Sequence, residues 1–257
     1  MHKILRRLLE MSQRLPIPYL LRLIEYLTCR SNPSFSSYGE DAILSGILSR
    51  YFLEFKKELK LSYIDIGAWR PMSGSNTYWL YQRGLSGTVI EPNPHFNLLW
   101  KAVRPRDNYL EVGCSSSEFE ELHIFHDNAA SNTFDQNFAT DISQKQSFTL
   151  MKKITVPCLT LKSIVDKHLS IHDEPFLLDV DVEGRDFDVI TTYEFPIGRR
   201  PILILIEDTC NDSNSIKDSK INVYLTSHSY QLVARSAITS IYVDLKQELS
   251  SILTSVV

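Results

Sequence analysis

The chain contains two short apolar runs that each end in a carboxylate: YIDIGA at residues 63–68 and VIEPNP at residues 89–94. They lie about 25 residues apart, the spacing of neighbouring strands in a βαβ unit that binds a nucleotide. In such a unit, Asp65 and Gly67 lie at the carboxyl end of a buried strand, where the small residue lets a ligand approach the backbone. Glu91 lies at the end of the next strand and can accept from two ribose hydroxyls. The pair of runs therefore predicts a nucleoside site.

Short apolar runs alternate with amphipathic segments along the rest of the chain, which predicts a parallel sheet covered by helices and an α/β fold class. The predicted strands lie at residues 61–66, 88–91, 109–112, 121–125, 154–158, 176–179 and 202–206, and two more at 230–235 and 240–244 form an antiparallel terminal hairpin. The predicted helices lie at residues 38–59, 73–83, 95–103, 159–169, 185–192 and 215–228. Residues 126–150 are polar and aromatic without clear periodicity, so we expect a loop that covers the substrate.

Composition limits the size of the domain and its partners. The 257 residues are 43% hydrophobic, enough to bury the core of one large α/β domain, predicted at residues 36–257. The formal charge of -4 argues against a nucleic-acid binder. Residues 1–30 hold six Lys/Arg against two acidic residues on amphipathic segments, so residues 1–35 are predicted to form a separate helical extension. That extension could dock on a membrane surface, on the main domain or on a second copy of the chain.

The spacing of the cysteines indicates the compartment. The four cysteines, Cys29, Cys114, Cys158 and Cys210, lie far apart and form no CxxC pair or Cys/His cluster. This spacing is typical of a reducing compartment and speaks against a disulfide scaffold or a zinc site. No apolar run reaches the roughly 18 residues of a membrane span. We therefore expect a cytoplasmic protein, and the basic extension leaves peripheral contact with the inner membrane face open.

The turn after Gly67 narrows the choice of nucleotide. A dinucleotide enzyme, such as a nicotinamide-dependent dehydrogenase, needs a glycine-rich turn where a helix amino terminus meets the pyrophosphate. Here AWRP follows Gly67 and the next glycine is Gly74, which disfavours that class. S-adenosylmethionine carries no phosphate; it needs a carboxylate near its charged end, a small residue beside its methionine chain and an acidic residue for its ribose. Asp65, Gly67 and Glu91 supply these groups.

Two further strand ends carry acidic residues: LDVDVEG at residues 178–184 and IED at residues 206–208. Because the carboxyl ends of parallel strands share one crevice, we expect Asp181, Glu183 and Glu207 to lie across it from the nucleoside site. We interpret these three as candidate catalytic residues on the acceptor side, with Asp181 or Glu183 as the base that removes a hydroxyl proton.

These acidic residues also have structural interpretations. Glu183 could cap the following helix, and Asp181 could satisfy a turn. A divalent cation could be held by two of the carboxylates and an acceptor oxygen. Carboxylates alone do not establish such an ion, so no metal ligands are assigned.

Four blocks of sequence, in this order and spacing, resemble the FkbM family of S-adenosylmethionine-dependent methyltransferases over about residues 36–245. The blocks are SSYGEDAIL (36–44), the segment 63–94 that begins YIDIGA and ends VIEPNP, FLLDVDVEGRDFDVI (176–190) and ILILIEDT (202–209). The resemblance implies a class I, Rossmann-like methyltransferase fold with a seven-stranded, mostly parallel sheet. It also implies methyl transfer to a hydroxyl, often on a sugar of a surface polysaccharide or glycoconjugate, or on a natural product.

The resemblance also assigns residues by position. Asp181, Glu183 and Gly184 match the family's acidic block. The candidate cofactor residues are Asp65, Gly67, Ala68, Asn76, Glu91 and Asn93. The chain departs from the family at Trp69 and Arg70, where relatives often carry histidines. We therefore interpret these two as substrate residues, with a sugar stacked on Trp69 and an anionic group bound by Arg70, although Trp69 could equally be a packed lid residue.

Two functional classes remain open. The leading hypothesis is an O-methyltransferase that uses S-adenosylmethionine, acts on a saccharide or small-molecule acceptor and has no nucleic-acid partner. The alternative is a catalytically inactive protein that keeps the fold for interaction. The altered pair Trp69 and Arg70 favours the alternative, and the retained acidic strand ends oppose it.

Overall fold

The structure is a computed structural model, and it describes residues 34–55, 61–127, 129–145, 149–169, 175–210 and 215–246. These residues belong to one unit of the chain, which begins at Ser34. The predicted helical extension at residues 1–35 and its surface contacts fall almost wholly outside the described part, so both stay predictions. No helix of the described residues combines the length and the apolar content that a bilayer crossing requires.

Ten strands occur in the described residues and form two sheets. They are β1 (Ser62–Ile66), β2 (Thr88–Ile90), β3 (Asn108–Leu110), β4 (Gly113–Cys114), β5 (Phe119–Ile124), β6 (Lys152–Leu159), β7 (Phe176–Val180), β8 (Leu203–Glu207), β9 (Tyr230–Ser236) and β10 (Thr239–Asp244). The larger sheet has seven strands in the order β3–β2–β1–β7–β8–β10–β9. Neighbours from β3 to β8 are parallel, whereas β10 runs antiparallel to both β8 and β9. The mostly parallel sheet with its antiparallel terminal hairpin is confirmed.

The sequence does not predict the smaller sheet, whose order is β4–β6–β5. The strands predicted at residues 121–125 and 154–158 both exist, but they pair with each other in an antiparallel manner outside the main sheet. β4 adds to β6 in parallel, with Gly113 opposite Cys158. A local apolar pattern identifies a strand, whereas packing between distant segments decides its partner.

Seven α-helices are present in the described residues: α1 (Glu40–Phe55), α2 (Tyr78–Gln82), α3 (Asn97–Val103), α4 (Gln136–Lys145), α5 (Leu161–His168), α6 (Asp186–Ile190) and α7 (Lys220–Ser227). Short 3-10 turns at Pro94–Phe96 and Ser215–Asp218 precede α3 and α7. The helix predicted at residues 215–228 is therefore divided, because the Ser219 hydroxyl accepts from the backbone of Asn222 and begins a new helix there.

The loop predicted at residues 126–150 contains α4, so that prediction was wrong for this part. Asp135 begins the helix, because its Oδ1 accepts hydrogen bonds at 2.7 and 2.8 Å from the backbone N–H groups two and three residues later. Ala139 and Ile142 then pack against Phe125. This short apolar face lies among polar residues, which hides its periodicity in the sequence.

The five inner strands of the main sheet are buried on both faces, and their side chains alternate between two hydrophobic clusters. Tyr63 and Leu177 belong to the cluster that includes residues of α1, α2 and α3. Ile64 and Leu178 belong to the cluster that includes residues of α5, α6 and α7. Since alternate residues share a face, Asp65 projects on the same side as Tyr63. This alternation decides which strand-end residues can meet.

Candidate functional site

Four acidic residues from neighbouring strand ends meet on one face of the main sheet. Asp65 of β1 lies opposite Asp179 of β7, and Asp181 and Glu207 follow at the ends of β7 and β8. All four line a cavity of about 290 Å³, which we name the acidic cavity. Its other lining residues are Ser37, Tyr38, Glu40, Gly67, Ala68, Trp69, Gly74, Ser75, Asn76, Ala130, Ser131, Phe138, Ile142, Glu183, Ile238 and Thr239. The structure thus brings the two predicted sides of the crevice together.

Asp65 is held in place from the segments that follow β1. Thr77 donates a hydrogen bond from Oγ1 to Asp65 Oδ2 at 2.5 Å, and Arg104 donates to Thr77 Oγ1 at 3.0 Å. Arg104 is fixed in turn by an ion pair with Asp107 at 2.6 Å and by a hydrogen bond to Tyr63. Burial raises the pKa of the Asp65 carboxyl, and the Arg104 guanidinium opposes that rise. The protein itself therefore sets the orientation of this carboxylate.

Arg104 and Asp179 are site residues that the sequence reasoning missed. Asn76, a predicted cofactor residue, donates from Nδ2 to Asp179 Oδ1 at 3.2 Å. Burial, with Asp65 and Asp181 nearby, raises the pKa of Asp179 well above its usual range. The DVD pattern could have identified Asp179, because residues i and i+2 of a strand share a face. Arg104 has no comparable signal, because Thr77, through which it acts on Asp65, lies 27 residues away in the sequence.

Gly67 is required by a close approach of two backbone segments. Its φ is +80°, and a Cβ there would lie 1.7 Å from the carbonyl oxygen of Asp181. The Asp181 N–H donates to the carbonyl oxygen of Ile66 at 2.9 Å, so β1 and β7 stay together at their ends. The sequence predicts that a glycine is needed here so that a ligand can approach the backbone. The close approach of the segment after β7 already requires a glycine at this position.

Glu91 is held by backbone groups of two segments. Its Oε2 accepts from the Trp69 N–H at 2.9 Å, and its Oε1 accepts from the Asn93 N–H at 2.7 Å. Burial raises the pKa of Glu91 to about 8. When Glu91 is ionised, each of its oxygens keeps a further lone pair, so it can then accept from two hydroxyl groups.

A second cavity, of about 40 Å³, lies beside Glu91, and we name it the apolar cavity. Ten of its sixteen lining residues are hydrophobic: Ile66, Trp69, Ile90, Pro92, Cys114, Leu122, Ala129, Ala130, Phe134 and Val182. Ile66 and Val182 alternate with the acidic strand-end residues, so one face supplies carboxylates and the other supplies apolar groups. The two cavities share five lining residues: Gly67, Trp69, Ala130, Asp181 and Glu183. They therefore adjoin and form one cleft.

The predicted catalytic residues Asp181, Glu183 and Glu207 all lie in this cleft. Asp181 and Glu207 are hydrogen-bonded to each other, so the pair shares a proton. Burial raises the pKa of Glu207 to about 10 and that of Asp181 to about 6. Burial also raises the pKa of Glu183 to about 8. Asp181 is therefore the member of the pair that is ionised at neutral pH and can accept a proton.

Asp186 closes the turn after β7. Its carboxylate accepts from the backbone N–H groups of Val182 at 3.0 Å and Gly184 at 3.2 Å. The capping role considered for Glu183 is not observed, because no side-chain hydrogen bond caps α6. Glu183 instead has a φ of +55° and lines both cavities. Such left-handed backbone at a non-glycine residue costs about 1–3 kcal/mol and is concentrated at functional sites.

The two predicted substrate residues differ in their positions. Trp69 has a φ of +45° and lines both cavities, and a Cβ on Gly74 would lie 2.6 Å from its ring. Arg70 lines neither cavity, and its Cζ lies 5.4 Å from the centroid of the Trp69 ring. Among the predicted cofactor residues, Ala68 lines the acidic cavity. Asn93 lines neither cavity. Its side-chain amide donates to the carbonyl oxygen of Asp127 and accepts from the His95 N–H.

The segment predicted to cover the substrate does contribute to the acidic cavity. Four of its residues line that cavity: Ala130, Ser131, Phe138 and Ile142. Thr133 Oγ1 in the same segment donates to the carbonyl oxygen of Glu183 at 2.7 Å. This segment is therefore anchored to Glu183, another lining residue of the acidic cavity.

Another side of the acidic cavity joins the start of α1 to the terminal hairpin. Thr239 Oγ1 donates to Glu40 Oε1 at 3.2 Å, and both residues line the cavity. The Ser236 hydroxyl donates to the carbonyl oxygen of Tyr38. The antiparallel hairpin thus contributes to the site as well as to the sheet.

Comparison with known protein families agrees with this geometry. The methyltransferase FkbM domain matches residues 65–232, which is more than half of the chain. The matched segment begins at Asp65 and contains Glu91, Asp181 and Glu207. Comparisons with curated proteins and with solved structures found no match. The resemblance inferred from the four sequence blocks is confirmed, and the chain belongs to the FkbM methyltransferase family.

Proposed function

We propose that this methyltransferase is a class I, Rossmann-like enzyme that uses S-adenosylmethionine to methylate a sugar hydroxyl of a surface polysaccharide or glycoconjugate. The fold assignment is supported by the strand order, in which the antiparallel β10 lies between β8 and β9 beside five parallel strands. The cofactor assignment is supported by the two adjoining cavities of the cleft. One is mostly apolar, as the adenine end of this cofactor is, and the other is acidic, which suits its positively charged methionine end.

The residues of the cleft fit S-adenosylmethionine. The apolar cavity is too small to enclose a whole purine, but its walls offer hydrophobic contacts to one edge of the ring, and Glu91 offers acceptor lone pairs to the two ribose hydroxyls. Asp65 and its acidic neighbours offset the charge of the methionine end. S-adenosylmethionine supplies a methyl group on a positively charged sulfur, and a cavity lined by carboxylates favours such a ligand over an anionic one. This adjacency of an apolar and an acidic cavity is the observation that carries the proposal.

We assign removal of the acceptor's hydroxyl proton to Asp181. It lines the acidic cavity and, with a pKa of about 6, is ionised at neutral pH, whereas Glu207 keeps its proton. Alignment of the acceptor oxygen is the larger part of the catalysis, and a positioned base adds about 10²–10⁴-fold. Trp69 offers an aromatic face on which a sugar ring can stack.

The charge of the acidic cavity limits the acceptor. Its described lining residues include carboxylates but no Lys or Arg. An anionic acceptor would be repelled there, whereas the hydroxyls of a neutral polyol can donate to the carboxylates. We therefore favour a neutral sugar, and the anion contact expected from Arg70 is not part of the proposal.

Titration calorimetry with S-adenosylmethionine tests the cofactor assignment. We expect the full chain to bind one equivalent, and we expect Asp65→Asn and Glu91→Gln to weaken binding by about tenfold or more. Circular dichroism of each variant separates loss of binding from loss of folding. Absence of binding by the folded wild-type chain would exclude the enzyme and favour the non-catalytic interaction protein.

Mass spectrometry of the host's surface glycans tests the acceptor. Cells with and without the protein should differ by one CH₂ per methylated sugar, because methylation replaces a hydroxyl hydrogen. Unchanged glycans together with normal cofactor binding would point to a small-molecule acceptor.

A further inference from the structure

We propose that the cleft also binds a divalent cation that prefers oxygen ligands, such as Mg²⁺ or Mn²⁺, between the carboxylates of Asp181, Asp186 and Glu207. Each residue offers one carboxylate oxygen, and these oxygens lie within 4.8 Å of one another. Around an octahedral Mg²⁺ with ligands at about 2.1 Å, opposite ligands are about 4.2 Å apart and adjacent ones are closer. Small side-chain rotations are therefore enough for the three carboxylates to share one ion.

An unpartnered buried oxygen gives independent support. Glu207 is only 6% exposed, and its Oε2 receives no hydrogen bond from an N–H or hydroxyl group of the described residues. Leaving such an atom unpaired is costly, so native proteins rarely keep one without a ligand, ion or water. Because Glu207 lines the acidic cavity, a ligand in that cavity can reach it.

The surroundings favour an ion that is separate from the cofactor's ammonium group. Six carboxylates line the acidic cavity, and its described lining includes no Lys or Arg that could neutralise them. Asp65 and Glu207 belong to β1 and β8, which are separated by β7. Two strand spacings amount to about 10 Å, so one ammonium group cannot serve both carboxylates. A second cation at the Glu207 end could take the place of the proton that Glu207 otherwise keeps.

The three residues can take an ion without losing their present backbone contacts. Asp186 already accepts from two backbone N–H groups, and this fixes its position while each oxygen keeps a further lone pair. The ion would replace the proton that Asp181 and Glu207 share. Asp181 can bind the ion through one oxygen and keep the other for the acceptor.

The ion would also orient the acceptor. An octahedral ion held by three protein oxygens keeps three positions for water or for hydroxyl groups in the cavity. A polyol bound there would have its hydroxyl oxygen fixed beside the acidic cavity. This positioning role rests on the proposed methyl transfer, whereas the binding of the ion does not.

Binding of Mn²⁺ to the full chain, without S-adenosylmethionine, tests the site independently of turnover. We expect calorimetry and electron paramagnetic resonance to show one site that Glu207→Gln weakens by about tenfold or more. Asp179→Asn is the matched control, because Asp179 lines the same cavity outside the three ligands; it should change the Mn²⁺ affinity by less than about twofold. If Glu207→Gln does not fold, Asp181→Asn takes its place.

Three outcomes would overturn the proposal. The first is no Mn²⁺ binding by folded wild-type protein, and the second is an affinity that Glu207→Gln leaves unchanged. The third is displacement of Mn²⁺ by saturating S-adenosylmethionine, because the carboxylates would then serve the cofactor. Cofactor binding measured on the same samples separates the two proposals: a chain that binds S-adenosylmethionine but no Mn²⁺ keeps the proposed function and loses the ion site.

Discussion

Thr77 donates a 2.5 Å hydrogen bond to the carboxylate of Asp65, and this contact joins the segment after β1 to the acidic cavity. Because Arg104 bonds Thr77 in turn, a chain of buried polar groups orients the carboxylate. Thr77 does not line either cavity, so its effect on a bound cofactor passes through Asp65.

We expect Thr77→Val to weaken S-adenosylmethionine binding. The substitution keeps the shape of the side chain but removes the donor to a buried carboxylate, which costs about 1–3 kcal/mol. If all of this free energy is lost from cofactor binding, the dissociation constant rises by about 5- to 150-fold. Thr77→Ser keeps the hydroxyl and should bind within about threefold of the wild type. Equal affinities of the two variants in calorimetry would contradict the positioning role.

We expect Gly67→Ala to destabilise the protein much more than Gly84→Ala. Both glycines have positive φ, +80° and +89°, so a side chain adds about 1 kcal/mol of backbone strain at either position. Only at Gly67 would the new Cβ meet another atom, the Asp181 carbonyl oxygen at 1.7 Å; at Gly84 nothing lies within 4 Å. Urea denaturation should show a loss of about 3 kcal/mol or more for Gly67→Ala and about 1 kcal/mol for Gly84→Ala. Equal losses would mean that the ends of β1 and β7 separate easily.

We expect the stability that Glu91 contributes to the ligand-free protein to fall as pH rises. Its pKa is about 8 in the folded protein, against 4.5 ordinarily, because burial disfavours the carboxylate. The contribution is therefore complete below about pH 4.5 and is lost as pH rises through about 8, with an upper limit of about 5 kcal/mol. The free energy of unfolding of the wild type, relative to Glu91→Gln, should decline between these values. A difference that does not change with pH would contradict the assignment.

We expect Asp181→Asn and Asp65→Asn to affect different kinetic quantities. Asp181→Asn removes the proposed base and should lower turnover by about 10²–10⁴-fold, with cofactor affinity nearly unchanged. Asp65→Asn should instead weaken cofactor binding. Single-turnover kinetics and calorimetry on both variants check this, and the reverse pattern would exchange the two roles.

The sequence predicts the strand-end part of the site well, for a geometric reason. Asp65, Asp181 and Glu207 each end or follow a run of buried apolar residues, and the carboxyl ends of parallel strands meet at one edge of a sheet. The pattern of those runs along the chain is therefore enough to predict that three carboxylates far apart in the sequence meet at one cavity.

The parts that the sequence does not predict depend on contacts between distant segments. Arg104 lies in the connection between α3 and β3, and it donates a hydrogen bond to Thr77. No local spacing in the sequence predicts that contact. β5 and β6 have ordinary strand patterns, yet they pair outside the main sheet. The bond between Asp181 and Glu207 likewise depends on the two strands being neighbours, which only the fold decides.

The contact between Glu40 and Thr239 has a consequence for how the site matures. The two residues are about 200 positions apart, so the hydrogen bond between them closes one of the longest loops in the domain. During synthesis, the strands that carry Asp65 and Asp181 leave the ribosome well before β10. A nascent chain whose Thr239 is still inside the ribosome lacks one side of the acidic cavity. Ligand binding at this cavity would therefore distinguish chains that contain β10 from shorter ones.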